Sequence, residues 1–305
     1  MSPSPGRSVS QSTGTGPFAR IAVGVDGYAE GRDAAVLGAT FARVTGAELM
    51  LVAVHPDPLV VLPPELGWTG MRKQAEALLR ETRDAFAPQA RIDVETDWSI
   101  PRALERVVAR THRDLLVLGS SRRAHAGRLR IGTRTRQLLG SCRCPLAIAP
   151  RGLSEAPARP LERIGVGYDA SPESQAALAL AGSIARAADS RLVVRAVVED
   201  RLPVVGWSAA RELAEAMWDE LLEPEVASLR ESTQAAVKAT GAEAEVDAVP
   251  GAPPAILKEL SDDVDLLVIG SRRWGAVARV LLGTTGETLM HDAGCPVVVV
   301  PRPAA

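Results

Sequence analysis

The chain has 305 residues, a length that suggests about two domains, each large enough to bury its own core. Its apolar runs are short, far below the ~18 uninterrupted residues a membrane-spanning helix needs. Aromatic residues make up only 3%, which argues against base-stacking platforms for nucleic acid. Three cysteines are too few for a disulfide framework and point to a reducing cytoplasm. The formal charge of −2 conceals an imbalance: residues 1–151 carry 21 Lys and Arg against 14 Asp and Glu, a net of +7, whereas residues 152–305 carry 14 against 23, a net of −9.

In chain order, residues 1–17 are rich in Ser, Gly, Pro and Thr and lack the apolar segment of a signal peptide, so they read as a flexible tail. A strand signal follows, Arg20-Ile21-Ala22-Val23-Gly24-Val25-Asp26. Next comes a helical pattern with Ala34, Leu37, Phe41 and Val44 on one face. A second strand runs Leu49 to Val54, and a helical pattern through Ala103, Leu104, Val107 and Val108 precedes the strand Asp114-Leu115-Leu116-Val117-Leu118-Gly119-Ser120. Gly132-Thr133 then opens a helical pattern, and Cys144-Pro145 to Pro150 closes the unit. After Gly152 to Pro160, read as a linker, every one of these features recurs. The copies are Arg163 to Asp169, Leu192 to Val197, Asp265 to Ser271, Gly283-Thr284, and Cys295-Pro296 to Pro301. The first helix of this copy opens on Ser171-Pro172-Glu173, a capping hydroxyl, a proline in the first turn and an acid at the positive helix end. The offset between copies is 143 residues early and 151 late, so the second unit gains length after its second strand. The boundaries read as 18–151 and 161–302.

Strands that are nearly continuous Val, Ile and Leu are buried on both faces, as in parallel sheets. Alternation with helices predicts a doubly wound α/β sheet of five strands in each unit. Such sheets bind ligands at the carboxyl ends of the strands, where strand order reverses. A Gly ending the fourth strand and a Gly-Thr opening the next helix, thirteen residues later in both copies, suit backbone N–H groups and a hydroxyl to phosphates. The same residues also serve as ordinary strand and helix punctuation.

These residues together resemble the universal stress protein family. The resemblance covers all but the first 17 residues, and the chain is similar to a tandem of two such domains. It rests on the Val-Gly-x-Asp pattern, the Asp-Leu-Leu-Val-x-Gly-Ser strand, the loop ending in Gly-Thr and the closing Cys-Pro strand. It implies two adenine nucleotide alpha hydrolase-like sheets whose last strands pair, so that the chain imitates a dimer. A further homodimer and protein partners are left open. It also implies a cytoplasmic stress-response role and an adenine nucleotide ligand, ATP with Mg. By that resemblance Asp26 and Asp169 contact the nucleoside, Gly24 and Gly167 allow close approach, and Ala53 and Ala196 line the base. Gly119, Ser120, Gly132 and Thr133, with Gly270, Ser271, Gly283 and Thr284, hold phosphates. Nucleotide-binding members carry Gly-x2-Gly-x9-Gly-Ser/Thr. Here Arg122 and Arg273 replace the middle glycine. If that position is left-handed, Arg costs about 1–2 kcal/mol. The arginine either obstructs the phosphate path or offers its planar fork of donors. A nucleotide-independent interaction module with altered loops is therefore the alternative. No general base is indicated, so no catalytic residue is assigned beyond a slow ATP hydrolysis at most.

The first loop is dense in arginine: Arg122, Arg123, Arg128, Arg130, Arg134 and Arg136, against Arg272, Arg273 and Arg279 in the second. Three readings stand: a solvated basic face, an anion site, or attraction between a basic first unit and an acidic second one. Cys142 and Cys144 share one face if the strand has begun, and are then too far apart to bridge; both, with Cys295, read as structural. Trp68 and Trp207 occupy similar Gly-Trp contexts and read as packing. Residues 212–238 form an amphipathic helical pattern interrupted at Pro224.

Overall fold

In a computed structural model the described residues are 16–55, 68–157, 159–199, 208–271 and 284–301. Residues 1–15 of the N-terminal segment, Trp207, Arg272, Arg273, Arg279 and Gly283 lie outside them, as do the side chains of Trp68 and Thr284. The first half runs β1 (Arg20–Gly24), α1 (Ala29–Thr45), β2 (Glu48–His55), α2 (Trp68–Phe86), β3 (Arg91–Thr96), α3 (Ile100–Thr111), β4 (Leu115–Gly119), α4 (Thr133–Ser141) and β5 (Leu146–Ala149). The second half repeats the order as β6 (Arg163–Tyr168), α5 (Pro172–Ala188), β7 (Arg191–Glu199), α6 (Ser208–Thr240), β8 (Ala244–Gly251), α7 (Pro253–Asp263), β9 (Leu266–Gly270), α8 (Thr284–Asp292) and β10 (Val297–Val300).

The ten strands form one sheet in the order β3-β2-β1-β4-β5-β10-β9-β6-β7-β8. Neighbours within each half are parallel, as the continuous apolar runs predict: Ile21, Ala22 and Val23 are all fully buried. The junction β5–β10 is antiparallel, with Ala147 opposite Val298. The two halves thus pair through their last strands. Ile148, Val297, Val298 and Val299 are buried there, at about 1.5–3 kcal/mol for each large side chain removed from water. One apolar layer lies under α1 and α5 and another under α4, α7 and α8, and each layer runs through both halves.

The aspartate that opens each Asp-Leu-Leu-Val motif has a local task. Asp114 accepts from the backbone N–H groups of Ala19 and Arg20 at 2.7 and 3.0 Å. Asp265 accepts from Glu162 and Arg163, both at 2.9 Å. Each staples the start of the fourth strand of its half to the start of the first, satisfying edge donors the ladder leaves open. Helix α5 begins as its sequence predicts, with Ser171 Oγ accepting from the Ser174 N–H at 3.2 Å and Pro172 in the first turn. Helix α6 departs from expectation. Pro224 does not interrupt it, and the helix continues from Ser208 to Thr240 across the lost backbone donor. At 33 residues against 19 in α2, it takes up the added length of the second half.

The basic loop between β4 and α4 reaches across the junction. The N–H groups of Leu129 and Ile131 donate to the carbonyls of Ala293 and Met290, both at 2.9 Å. Arg128 pairs with Asp262 and donates to the Asp292 carbonyl at 3.3 Å, and Arg136 pairs with Glu287. A Cβ at Gly294 would stand 2.2 Å from Asp262 Oδ1 and 3.1 Å from Arg128 Nη1, so a side chain there would displace this pair. For Arg128 and Arg136 the attraction between unlike halves is the reading the structure shows.

Candidate functional site

Strands β1 and β4 are neighbours, but the chain leaves them toward opposite edges of the sheet, so no strand connection covers the crevice at their carboxyl ends. A cavity of about 370 Å³ lies there. Its apolar wall comes from Val52, Val54, Ile100, Leu104, Leu118 and Leu138, and its polar groups from Asp26, Glu30, Ser121, Arg122, Thr133, Arg134 and Thr135. Apolar walls with a few convergent polar groups are the usual makeup of a small-molecule site.

Helix α4 points its N-terminus into this cavity. Its cap, Gly132, is extended and supplies no side-chain bond to the first turn. The N–H groups of that turn have no acceptor within the helix and carry the positive end of its dipole. Thr133 and Thr135 add hydroxyls beside them. Gly132 has room: the nearest atom to an added Cβ is Ser121 Cβ at 4.0 Å.

Gly119 is different. A Cβ on it would stand 2.0 Å from the Glu30 carbonyl oxygen, and one on Gly270 would stand 2.5 Å from that of Glu173. Both glycines let the first helix of their half pack onto the end of the fourth strand. Gly24 and Gly167 leave room for side chains, since an added Cβ would stand 2.8 Å from Leu118 and 2.6 Å from Leu257 respectively. Ser120 is buried; its N–H donates to Ala149 and its hydroxyl accepts from the Arg130 N–H at 3.2 Å. Ser271 is buried too, with its N–H on the Val300 carbonyl at 2.9 Å. These residues shape the floor of the crevice, and Ser120 holds the loop above it.

Asp26 is exposed at the rim and accepts from the Tyr28 N–H at 3.2 Å, the cap of α1. Asp169 accepts from the Ser171 N–H at 3.1 Å. Ala53 and Ala196 do not face the crevice. Both lie in the apolar layer under α1 and α5, on the other face of the sheet, because side chains alternate along a strand. Val52, Val54 and, in the second half, Val197 take the lining positions.

Arg122 does not adopt the left-handed backbone. Among the described residues the non-glycine residues with positive φ are His112, Ala170 and Asp189. The expected strain is therefore absent, and the loop turns at Gly127, φ 72°. The Arg122 guanidinium lies over the Tyr28 ring, 4.2 Å from its centroid, as a cation–π pair at the mouth of the cavity. Position 122 thus tolerates a side chain and supplies a mobile-length cation to the rim.

Three participants were not read from sequence. Glu30 is buried against the cavity, 3.6 Å from Arg151 Nε. Arg151 also donates to the carbonyls of Arg122 and Ala124 at 3.2 and 2.8 Å, tying the loop to α1. Asp33 is fully buried and accepts from Gly152 N, Ser154 N and Ser154 Oγ at 2.7–2.8 Å, holding the chain after β5 onto α1. Period-two alternation in β2 would have found Val52 and Val54; nothing local marks Arg151 or Asp33.

The second half has a matching cavity lined by Gly167, Asp169, Glu173, Val197, Leu257 and Gly270. Ser171 stands where the first half has Tyr28. Thr284 opens α8, while Arg273 and Gly283 lie outside the described residues. Among the described residues no three His, Cys, Asp or Glu side chains cluster to hold a metal, and no helix is long and apolar enough to cross a membrane.

A family model for the universal stress protein family matches residues 17–150 and again 160–301. The chain belongs to the universal stress protein family. A universal stress protein of Mycobacterium tuberculosis is 26% identical over 300 residues, covering 92% of this chain and 96% of its own. Another, from Thermus aquaticus, is 32% identical over 137 residues, 44% of this chain and 93% of its own. A solved universal stress protein from Archaeoglobus fulgidus, 19% identical, covers 95% of this chain and all of its own with a TM-score of 0.65, which shows the shared fold. The repeat seen in the sequence is thus a universal stress protein domain written twice.

Proposed function

We propose that this universal stress protein binds an adenine nucleotide, ATP or a close relative, in the crevice of its first half, and acts in the cytoplasm as a regulatory or protective factor under stress. The observation that carries the reading is the uncapped N-terminus of α4 opening into a cavity whose opposite wall is apolar. The residues present suit such a ligand. The first-turn N–H groups of α4, the hydroxyls of Thr133 and Ser121, and the guanidinium groups of Arg122 and Arg134 would meet phosphates. Asp26 would accept from the ribose, and Val52, Val54 and Ile100 would cover the base. Magnesium would arrive on the phosphates, since it needs few protein ligands. The second half offers Asp169, Gly270 and the start of α8 for the same purpose, with 18–151 and 161–302 as the two units.

The second reading, an interaction module that admits no nucleotide, draws on Glu30. Its carboxylate borders the cavity, 3.6 Å from Arg151, and would repel phosphates there. Identifying any small molecule released from the purified protein, and measuring unfolding with and without Mg-ATP, separates the two. A ligand at 100 times its Kd stabilises by about 2.7 kcal/mol. A shift lost in Thr133→Ala with Arg134→Ala would assign the nucleotide to the first half. No released nucleotide and no shift at millimolar Mg-ATP would leave the interaction module.

A further inference from the structure

Helix α4 ends at Ser141, and the chain bends at residues 143–144 before Pro145 leads into β5. The strand has therefore not begun at either cysteine: β5 starts at Leu146. In an extended strand, side chains two apart point the same way but stay about 7 Å apart, the residue rise being 3.2–3.4 Å. The bend draws them together. Cys142 Sγ lies 3.4 Å from Cys144 Sγ, while Arg143 between them faces solvent. The sulfur atoms have only about 1.4 Å left to close to reach bonding distance. Both belong to the apolar layer that both halves share, beside Leu138, Leu139 and Ala293.

We propose that Cys142 and Cys144 form an oxidisable dithiol, a modification site for small hydroperoxides, distinct from the nucleotide crevice at the other end of α4. The Cys142 thiolate attacks one peroxide oxygen, breaking the O–O bond, and becomes a sulfenic acid while water leaves after one proton is taken up. The Cys144 sulfur then attacks the Cys142 sulfur, losing its proton, and a second water leaves. Two thiols and one hydrogen peroxide give one disulfide and two waters, with the two electrons passing to the peroxide. The order of attack follows from the pair's own bond. Either sulfur can donate in that contact; with Cys144 as the donor the Cys142 pKa is lowered, and the same contact with burial raises that of Cys144. Glu105 and Asp114, the nearby acids, act against ionisation of Cys142 and Cys144 respectively.

The repeat supplies an internal control. Cys295 matches Cys144, but Ala293 stands where Cys142 would be. Cys295 is buried, its pKa is raised by that burial, and it has no thiol neighbour within the described residues. A disulfide in the first half therefore has no counterpart in the second.

The test treats the full-length protein with hydrogen peroxide, removes the peroxide, and counts free thiols after denaturation. Of three thiols, two should disappear and one, Cys295, should remain. The intact mass should fall by the two hydrogens lost, and dithiothreitol should restore it. Cys295→Ser should still form the disulfide. Cys142→Ala, which copies the second half, should retain both thiols at a peroxide dose that consumes the wild-type pair. Cys144→Ser should stop at a sulfenic acid that dimedone traps on Cys142. Retention of all three thiols would overturn the proposal. So would consumption of Cys295 as fast as the pair, or cross-linked dimers in place of the internal bond. Circular dichroism of each variant confirms that it is folded, and the wild-type thiol count decides the matter even where a variant is not.

Discussion

The two halves share a backbone plan but divide the surrounding contacts unequally. In the first, the loop between β4 and α4 is anchored on three sides. Arg151 ties it to α1, Ser120 holds its end, and Leu129, Ile131 and Arg128 bind it to the second half. Asp33 adds a clamp on the chain leaving β5, where the second half has Ala176 at the corresponding place. Tyr28 and Arg122 build a rim, where the second half has Ser171. Duplication therefore preserves what the sheet demands, such as Gly119 and Gly270, and lets the periphery diverge. The basic excess of the first half and the acidic excess of the second meet at Arg128, Arg136, Asp262 and Glu287.

The shared demand is the strongest place to break this comparison. Gly119→Ala should destabilise the fold by about 3 kcal/mol, at the upper end of overpacking costs, because the obstacle is the backbone carbonyl of Glu30. Gly132→Ala, with open space, should stay within about 0.5 kcal/mol. Equal losses in chemical denaturation would show that the two glycines do not differ as described. Next comes Asp33→Ala, which strands the N–H groups of Gly152 and Ser154. A loss of about 1–3 kcal/mol is expected, together with faster proteolysis after β5. Unchanged cleavage there would count against the clamp.

Arg128→Ala with Arg136→Ala should cost at most about 2 kcal/mol in total, since the pairs are partly exposed and worth up to about 1 kcal/mol each. Rising salt should shrink the difference, and a salt-independent loss would point to packing instead. Ala170, φ 60°, sits in the second half where the first has Gly27. Ala170→Gly should gain about 1 kcal/mol at most, by relieving the left-handed backbone. A thermal melt that falls would contradict this. An acid-side pH effect is expected in the first half. Asp97 is held well below the usual carboxylate range by hydrogen bonds from Arg102, the Ser99 backbone and Arg106. Its folded pKa is depressed, so its contribution is present above the ordinary carboxylate pKa and is lost as pH falls through the folded value. Asp97→Asn should flatten the acid limb of the stability profile and leave its slope near neutral pH unchanged.

Much of the fold was legible because its signals are local and written twice. Continuous apolar runs gave parallel strands, Ser171-Pro172 gave a helix start, and the two Gly-Thr pairs gave the helices that face each crevice. Ala53 was assigned to the wrong face because a resemblance supplied it where strand alternation would have chosen Val52 and Val54. The separation of Cys142 and Cys144 held only if a strand had begun there, and β5 begins at Leu146. Pro224 was given the power to end a helix that packing against β7 and β8 maintains.

Length, composition and the period by themselves determined two α/β units, a ligand position at the carboxyl ends of their strands, and an unequal division of charge. Local sequence is enough for these because backbone preferences and apolar periodicity act over a few residues. Only the tertiary structure decided where the arginines go. Arg128 meets Asp262 across 134 residues of chain, and Arg122 meets Tyr28 across a loop. The net charge of −2 follows from composition alone, but which of the opposed charges meet across the halves is set by contacts that no local pattern encodes.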